Sequence, residues 1–299
     1  DVERSRGLGD VYKRQLYNKA DYIAETLKSV LNQTYCDYEV IVVNDSSTDN
    51  SLEVASSFQD ERIHIYTKEN EGVSAARNYG IMHAKYDYIA FLDADDIWES
   101  DYLECQKKLI GTYPDAGIYS TAFYSLEKGK RKLRNVLINE HIHFLVHDYF
   151  KESVMNGLSI CWTSSLCLKK EVIKEIPMFR VGIKRGEDLD LWLRIALNYD
   201  VAYLNLPKVF YRTGLSDSLT SDYSKNGEFP YYEWFNFTSE SSYYRKYVIL
   251  VVYIHAKNAF IHHDYDTCLA ELWSVKTIAW RFKWAERLLL LVISWIKSK

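Results

Sequence analysis

Two runs of continuous apolar sequence end abruptly in carboxylates, and that pattern constrains the fold more than any other feature of the chain. Tyr88-Ile89-Ala90-Phe91-Leu92 leads into Asp93-Ala94-Asp95-Asp96, and Glu39-Val40-Ile41-Val42-Val43-Asn44 leads into Asp45-Ser46-Ser47-Thr48-Asp49-Asn50. Carboxylates this close repel one another, and burial at a strand end sharpens the repulsion. The first cluster therefore asks for a counter-charge, most simply a divalent metal with an anionic ligand. The plainer alternative is a solvated loop in which Asp95 or Asp96 caps the next helix. Between the two acidic ends, Leu52, Ala55 and Phe58 share one helical face and Val73, Ala76, Gly80 and Ile81 another, separated by the short strand Ile63-His64-Ile65-Tyr66. Ile23, Leu27, Val30 and Leu31 mark an earlier helix from about Asp21 to Gln33. Apolar strands alternating with amphipathic helices predict an α/β fold of parallel β-α-β units covered on both faces. Such sheets bind ligands beyond the carboxyl ends of their strands, where both acidic turns lie.

Five motifs occur in a recognisable order: Leu16-Tyr17-Asn18, Val43-Asn44-Asp45-Ser46-Ser47-Thr48-Asp49, Asn70-Glu71-Gly72-Val73-Ser74-Ala75-Ala76-Arg77-Asn78, Phe91-Leu92-Asp93-Ala94-Asp95-Asp96 and Gly186-Glu187-Asp188. Their spacing resembles that of family 2 glycosyltransferases of the GT-A fold, over roughly Leu16 to Arg212. The resemblance implies a GT-A domain over residues 16–223, with a mainly parallel sheet and a Rossmann-like nucleotide-binding half, while beyond Ser224 tyrosine, tryptophan and apolar residues at helical spacing predict a helical region over 224–299. It further implies transfer of a hexosyl or N-acetylhexosaminyl group, with inversion, from a nucleotide-diphosphate donor such as a UDP-sugar to an acceptor hydroxyl. The implied setting is bacterial cell-envelope polysaccharide synthesis, the implied acceptor a glycan or lipid-linked glycan, and the implied cofactor Mn²⁺ or Mg²⁺.

Residue by residue, Asp45 matches the aspartate that reads the nucleobase, although a turn aspartate bonding its own backbone is the simpler role beside Ser46, Ser47 and Thr48. Tyr17, Asn18 and Asn70 fall in the same donor-binding set. Asp49 reads as the N-cap of the following helix. The small residues Ser74-Ala75-Ala76 would admit an anion to a helix N-terminus, where Arg77 adds a charge-assisted bond; an exposed helical arginine is the alternative. Gly72 supplies backbone freedom. Asp93, Ala94 and Asp95 match the Asp-x-Asp metal motif, with Asp95 as direct ligand and Asp93 near ribose or metal-bound water; a cation there would stabilise the leaving diphosphate. Asp188 matches the general base and Glu187 the residue that orients it or touches the acceptor. Acidic residues in a first helical turn also offset the macrodipole, which is the role read for Asp190. Leu189, Trp192, Leu193, Ala196 and Leu197 form the buried stripe of that helix. Trp162 is a candidate platform for the acceptor sugar, against the commoner role of a core tryptophan.

The chain departs from the family pattern in two places. No histidine follows soon after Tyr211-Arg212, where Thr213-Gly214-Leu215-Ser216 stand instead, which leaves Arg212 or a loop through Ser218 as candidate diphosphate contacts. At the start, residues 1–15 are charged and glycine-bearing with no apolar run, and are read as a foreign segment replacing the native first strand. Near the other end, Trp280 to Lys297 carries an apolar run shorter than the ~20 residues a spanning helix needs. Its basic and tryptophan flanks fit an interfacial helix at the inner face of the cell membrane; a core-packed helix or a homodimer contact competes. A net charge of -4, with no basic patch interleaved with aromatics, argues against nucleic acid as partner. Five cysteines without metal or disulfide spacing, and no visible signal peptide, fit a cytoplasmic protein. Two further functions compete: a sugar nucleotidyltransferase, which should carry a glycine-rich basic loop that is missing here, and a catalytically silent nucleotide-sugar binding or scaffold protein.

Overall fold

The computed structural model describes residues 10–157, 159–183, 185–215, 234, 238–261 and 263–271. Its first half opens on β1 (Asp10–Leu16) and then alternates helix and strand as the periodicity predicts: α1 (Ala20–Leu31), β2 (Glu39–Asn44), α2 (Ser51–Ser56), β3 (Ile63–Thr67), α3 (Val73–His83) and β4 (Tyr88–Leu92). There follow β5 (Ile97–Trp98), α4 (Tyr102–Thr112), β6 (Ile118–Glu127), β7 (Lys130–Arg134), β8 (His143–Val146) and α5 (Tyr149–Asn156). A 3-10 turn, Thr163–Ser165, opens β9 (Leu166–Lys169), and α6 (Lys170–Glu175), α7 (Glu187–Ala196), β10 (Val201–Arg212) and α8 (Tyr244–Ile261) complete the order.

All ten strands belong to one sheet with the order β3-β2-β1-β4-β9-β6-β10-β5, β7 pairing with β6 and β8 with β10. The parallel character expected of the sheet holds from β3 to β4. Beyond β4 the sheet is mixed, because β9 runs antiparallel to both β4 and β6, and β10 antiparallel to β5 and β8. The reversal has a consequence for the site. An antiparallel strand begins at the edge where its neighbour ends, so β9 brings the Trp162–Ser165 turn to the carboxylates at the end of β4.

Side chains alternate between two cores, one on each face of the sheet. Val40 and Val42 of β2 join Ile23, Leu27 and Val30 of α1 and Leu103 and Leu109 of α4. Ile41 and Val43 face the other way, with Ala76 and Ile81 of α3, Leu191, Trp192 and Ile195 of α7, and Tyr247, Val248 and Val252 of α8. Helix α8 is tied to α5 by a hydrogen bond of 2.9 Å between the Tyr149 and Tyr247 hydroxyls. The segment Trp280–Lys297 lies outside the described residues. Among the described residues no helix is long and apolar enough to cross a membrane. All five cysteines are free thiols.

The slot of the first strand is filled by residues of the segment read as foreign. Asp10–Leu16 holds the central position, parallel to β2 on one side and β4 on the other. Strand pairing uses only backbone N–H and C=O groups, so a segment with no apolar run can fill a slot between two strands.

Candidate active site

Because β1 lies between β2 and β4, the chain leaving β1 runs between the two acidic turns. Tyr17 is exposed there. Asn18, in a left-handed conformation at φ 52°, accepts from the Thr48 N–H at 2.9 Å and the Thr48 hydroxyl at 3.2 Å. Asp49 accepts from the Ser51 N–H at 2.9 Å and the Ala20 N–H at 3.1 Å, serving the starts of both α2 and α1 rather than α2 alone.

Asp45 is fully buried. Its carboxylate accepts from the backbone N–H of Glu71 at 3.2 Å and of Gly72 at 3.0 Å, and pairs with Lys68 Nζ at 3.0 Å. A carboxylate from the end of β2 thus holds the turn that precedes α3. Gly72 takes φ +88°, a left-handed conformation that favours glycine. Asn70, in the same turn, is exposed. Arg77 is neither exposed nor placed at the helix tip: it is fully buried, its Nη1 donates to Glu187 Oε1 at 2.8 Å, and its guanidinium lies 4.7 Å from the Phe179 ring centre. Asn78 grips the Phe179 backbone from both sides, at 2.7 Å and 3.0 Å.

At the end of β4, Asp93, Asp95 and Asp96 offer oxygen atoms that all lie within 4.8 Å of one another. Ala94 is buried, with its carbonyl accepting from the Thr26 hydroxyl at 2.9 Å. Asp95 pairs with Lys19 Nζ at 3.1 Å. Asp96 is fully buried and accepts from the Ser164 hydroxyl at 2.5 Å and the Arg212 N–H at 3.0 Å. Burial, together with the charges of Asp95 and Asp93, pushes its carboxyl well above the usual range. The Arg212 guanidinium donates to the Asp95 carbonyl at 2.7 Å and pairs with Glu25, so it clamps the acidic loop. Ser218 lies outside the described residues.

Asp188, half-buried in the first turn of α7, accepts from the Thr163 hydroxyl at 2.9 Å. The next residue, Ser164, reaches the acidic loop twice, accepting from the Asp93 N–H at 3.1 Å and donating to Asp96. One 3-10 turn therefore holds Asp188 on one side and the carboxylate cluster on the other. Asp190 does more than offset the dipole: it is fully buried and accepts from Arg194 Nε at 2.9 Å and Trp234 Nε1 at 2.8 Å.

The glycosyl transferase family 2 model matches residues 16–176. The chain belongs to that family. It is 32% identical over 190 residues to the putative teichuronic acid biosynthesis glycosyltransferase TuaG of Bacillus subtilis, covering 62% of this chain and 71% of that protein. It is 34% identical over 186 residues to an uncharacterized glycosyltransferase of Rickettsia felis, covering 60% of this chain but only 29% of that protein. Among solved structures, S. aureus TarS residues 1–349 in complex with UDP-GlcNAc superimposes with a TM-score of 0.64 at 16% identity, covering 91% of this chain and 73% of that one. The fold of this family 2 glycosyltransferase is accordingly GT-A, a central sheet flanked by helices.

The acidic loop of this glycosyltransferase fits a hard divalent cation, since three carboxylates converge and oxygen donors suit Mn²⁺ or Mg²⁺. Asp96 is engaged by Ser164 and Arg212, which leaves Asp93 and Asp95 the better-placed donors. Lys19 already brings a positive charge to Asp95, a contact the sequence reading missed although Lys19 directly follows Tyr17-Asn18. Trp162 is half-buried, stacked on Phe123 at 5.4 Å between ring centres and edge-on to Tyr211 at 4.8 Å. These three rings line an open cleft of about 660 Å³, together with Leu133, Arg134 and Asn135.

Proposed function

We propose that this family 2 glycosyltransferase moves a hexosyl or N-acetylhexosaminyl group, with inversion, from a UDP-sugar to a hydroxyl of a glycan or lipid-linked glycan in cell-envelope polysaccharide synthesis. The observation that carries the reading is the Thr163-Ser164 turn, which ties Asp188 and the carboxylate cluster into one rigid frame. TuaG, named for teichuronic acid biosynthesis, and TarS, solved with UDP-GlcNAc, support the substrate class.

Asp188 takes the proton of the acceptor hydroxyl as its oxygen bonds to the anomeric carbon and the bond from that carbon to the diphosphate oxygen breaks. Thr163 holds the carboxylate in place, and the rigid first turn of α7 limits its motion. Asp93 and Asp95 would hold a divalent cation, which when bound would supply Lewis-acid stabilisation of the departing diphosphate. Tyr17, Asn18, Asp45 and Asn70 frame the nucleotide end, Asp45 by fixing the turn before α3. A single displacement needs no covalent sugar intermediate.

The test is thermal stabilisation by UDP, GDP, CDP and dTDP, each with Mn²⁺ or with EDTA. A ligand that binds only the folded state at a hundredfold excess over Kd adds about 2.7 kcal/mol of stability. UDP with Mn²⁺ is expected to give a clear upward shift, and removal of the metal by EDTA to abolish it. If a folded sample responds to no nucleotide, the transferase reading fails.

A further inference from the structure

The β6–β7 hairpin departs sharply from the acidic balance of the chain. Five of the seven residues from Lys128 to Arg134 are lysine or arginine, in a protein of net charge -4. Every position of β7 is exposed. Arg131 lies over the Phe210 ring at 4.6 Å, and Arg134 Nε donates to the Ser125 hydroxyl at 3.2 Å. Among the described residues, none of the five meets a carboxylate at ion-pair distance. Like charges this dense on one ribbon repel, so the hairpin carries an unfavourable field that an anionic partner would relieve. Lys130, Lys132 and Arg134 recur on one face of the strand, spaced about 6.8 Å apart.

This strip is continuous with the cleft. Phe123 and Ser125 of β6 and Leu133 and Arg134 of β7 line the same space as Trp162 and Tyr211. Trp162 immediately precedes Thr163, the partner of Asp188, and Tyr211 immediately precedes Arg212, the clamp on the acidic loop. Aromatic faces suit the C–H faces of sugar rings, and cations at the rim suit their acidic substituents.

We propose that the cleft and the β6–β7 hairpin together form the acceptor site for an extended anionic glycan, its rings against Trp162 and Tyr211 and its carboxylate or phosphate groups on Lys130, Lys132 and Arg134. A membrane surface fits less well, because Leu133 and Val136, exposed apolar residues beside the cations, line the cleft. The proposal rests on the transferase reading above and specifies the acceptor.

Calorimetry on the full chain compares oligogalacturonate, dextran phosphate and neutral dextran of equal length at low salt. At least one anionic glycan is expected to bind, the tighter one identifying the acidic group, with neutral dextran about tenfold weaker and the difference shrinking as salt rises. The Lys130→Ser/Lys132→Ser variant, changed only at exposed positions, is expected to bind the anionic glycan about tenfold more weakly. Hydrogen exchange is expected to slow over residues 123–136 in the glycan-bound chain. Equal binding by the variant, equal binding of neutral dextran, absent protection of that segment, or binding to phosphatidylglycerol vesicles and to neither glycan would each overturn the proposal. The nucleotide shift is read separately and should survive in the variant, so failure of the acceptor assignment and failure of the transferase reading are distinguishable.

Discussion

Replacing Arg77 with methionine is expected to lower the unfolding temperature by on the order of 10 °C, the largest stability effect of any single change at this site. Arg77 and Glu187 form an ion pair at 2.8 Å with side-chain exposures of 0% and 6%, so neither charge can turn to water when the other is lost. Removing one partner of a buried pair costs about 3–5 kcal/mol, most of it the penalty of leaving the other charge uncompensated. Methionine keeps most of the arginine's length and apolar stem, so the loss reports the charge rather than a cavity. The double variant Arg77→Met/Glu187→Gln removes both charges and should recover about 2 kcal/mol relative to the sum of the single changes. Strict additivity in that cycle would mean that the pair contributes nothing. A functional readout accompanies the thermal one. Glu187 opens α7 and precedes Asp188, so freeing it should loosen the carboxylate beside it and lower kcat more than it changes nucleotide affinity.

That ion pair also marks the limit of what the sequence discloses. The parallel half of the sheet is legible because its signals are local: apolar runs of four or five residues, helical spacing between them, and acidic turns at their carboxyl ends. The positions of Asp93, Asp95 and Asp188 follow from the family motifs in the same way. Arg77 and Glu187 stand 110 positions apart, and no local pattern says that an arginine one turn into α3 will be buried against the first residue of α7. The Thr163-Ser164 turn is hidden for a related reason. Its hydroxyls look like ordinary turn residues until β9 is known to run antiparallel beside β4, and only that pairing carries them to the acidic loop. A faint signal exists in Trp162-Thr163-Ser164-Ser165, a run of hydroxyl residues set directly against an apolar strand. The first strand is illegible for a different reason. Asp10–Leu16 lacks the apolar pattern of a central strand, yet its backbone takes that place between β2 and β4. Asp45 is a third case: a nucleobase contact and a turn aspartate are both compatible with its motif, and Lys68, Glu71 and Gly72, which donate to its carboxylate, come from the segment before α3, 23 to 27 residues away.

Asp188→Asn is expected to reduce kcat about a thousandfold while leaving UDP and Mn²⁺ binding unchanged. The Thr163 hydroxyl donates to Oδ2 at 2.9 Å and the Leu189 N–H to Oδ1 at 2.8 Å; an asparagine oxygen keeps the second bond, and its amide N–H can donate to the Thr163 hydroxyl with the direction of the first reversed, so the substitution keeps the shape of the turn and removes the basicity. Thr163→Val leaves the carboxylate chemically intact but held by the Leu189 N–H alone, and a positioning role predicts a smaller loss, about tenfold, that falls on kcat rather than on KM. Asp95→Asn should behave differently from both, because it weakens the cation site and so reduces nucleotide-dependent stabilisation together with turnover. The three variants separate the roles: base, holder and ligand each lose a different combination of turnover, acceptor orientation and metal-linked binding. Single-turnover transfer measured alongside the thermal shift with UDP and Mn²⁺ distinguishes them. If Asp188→Asn retains wild-type turnover, the proton must leave by another route, and the half-buried carboxylate on Thr163 is a structural support for α7 and not the base.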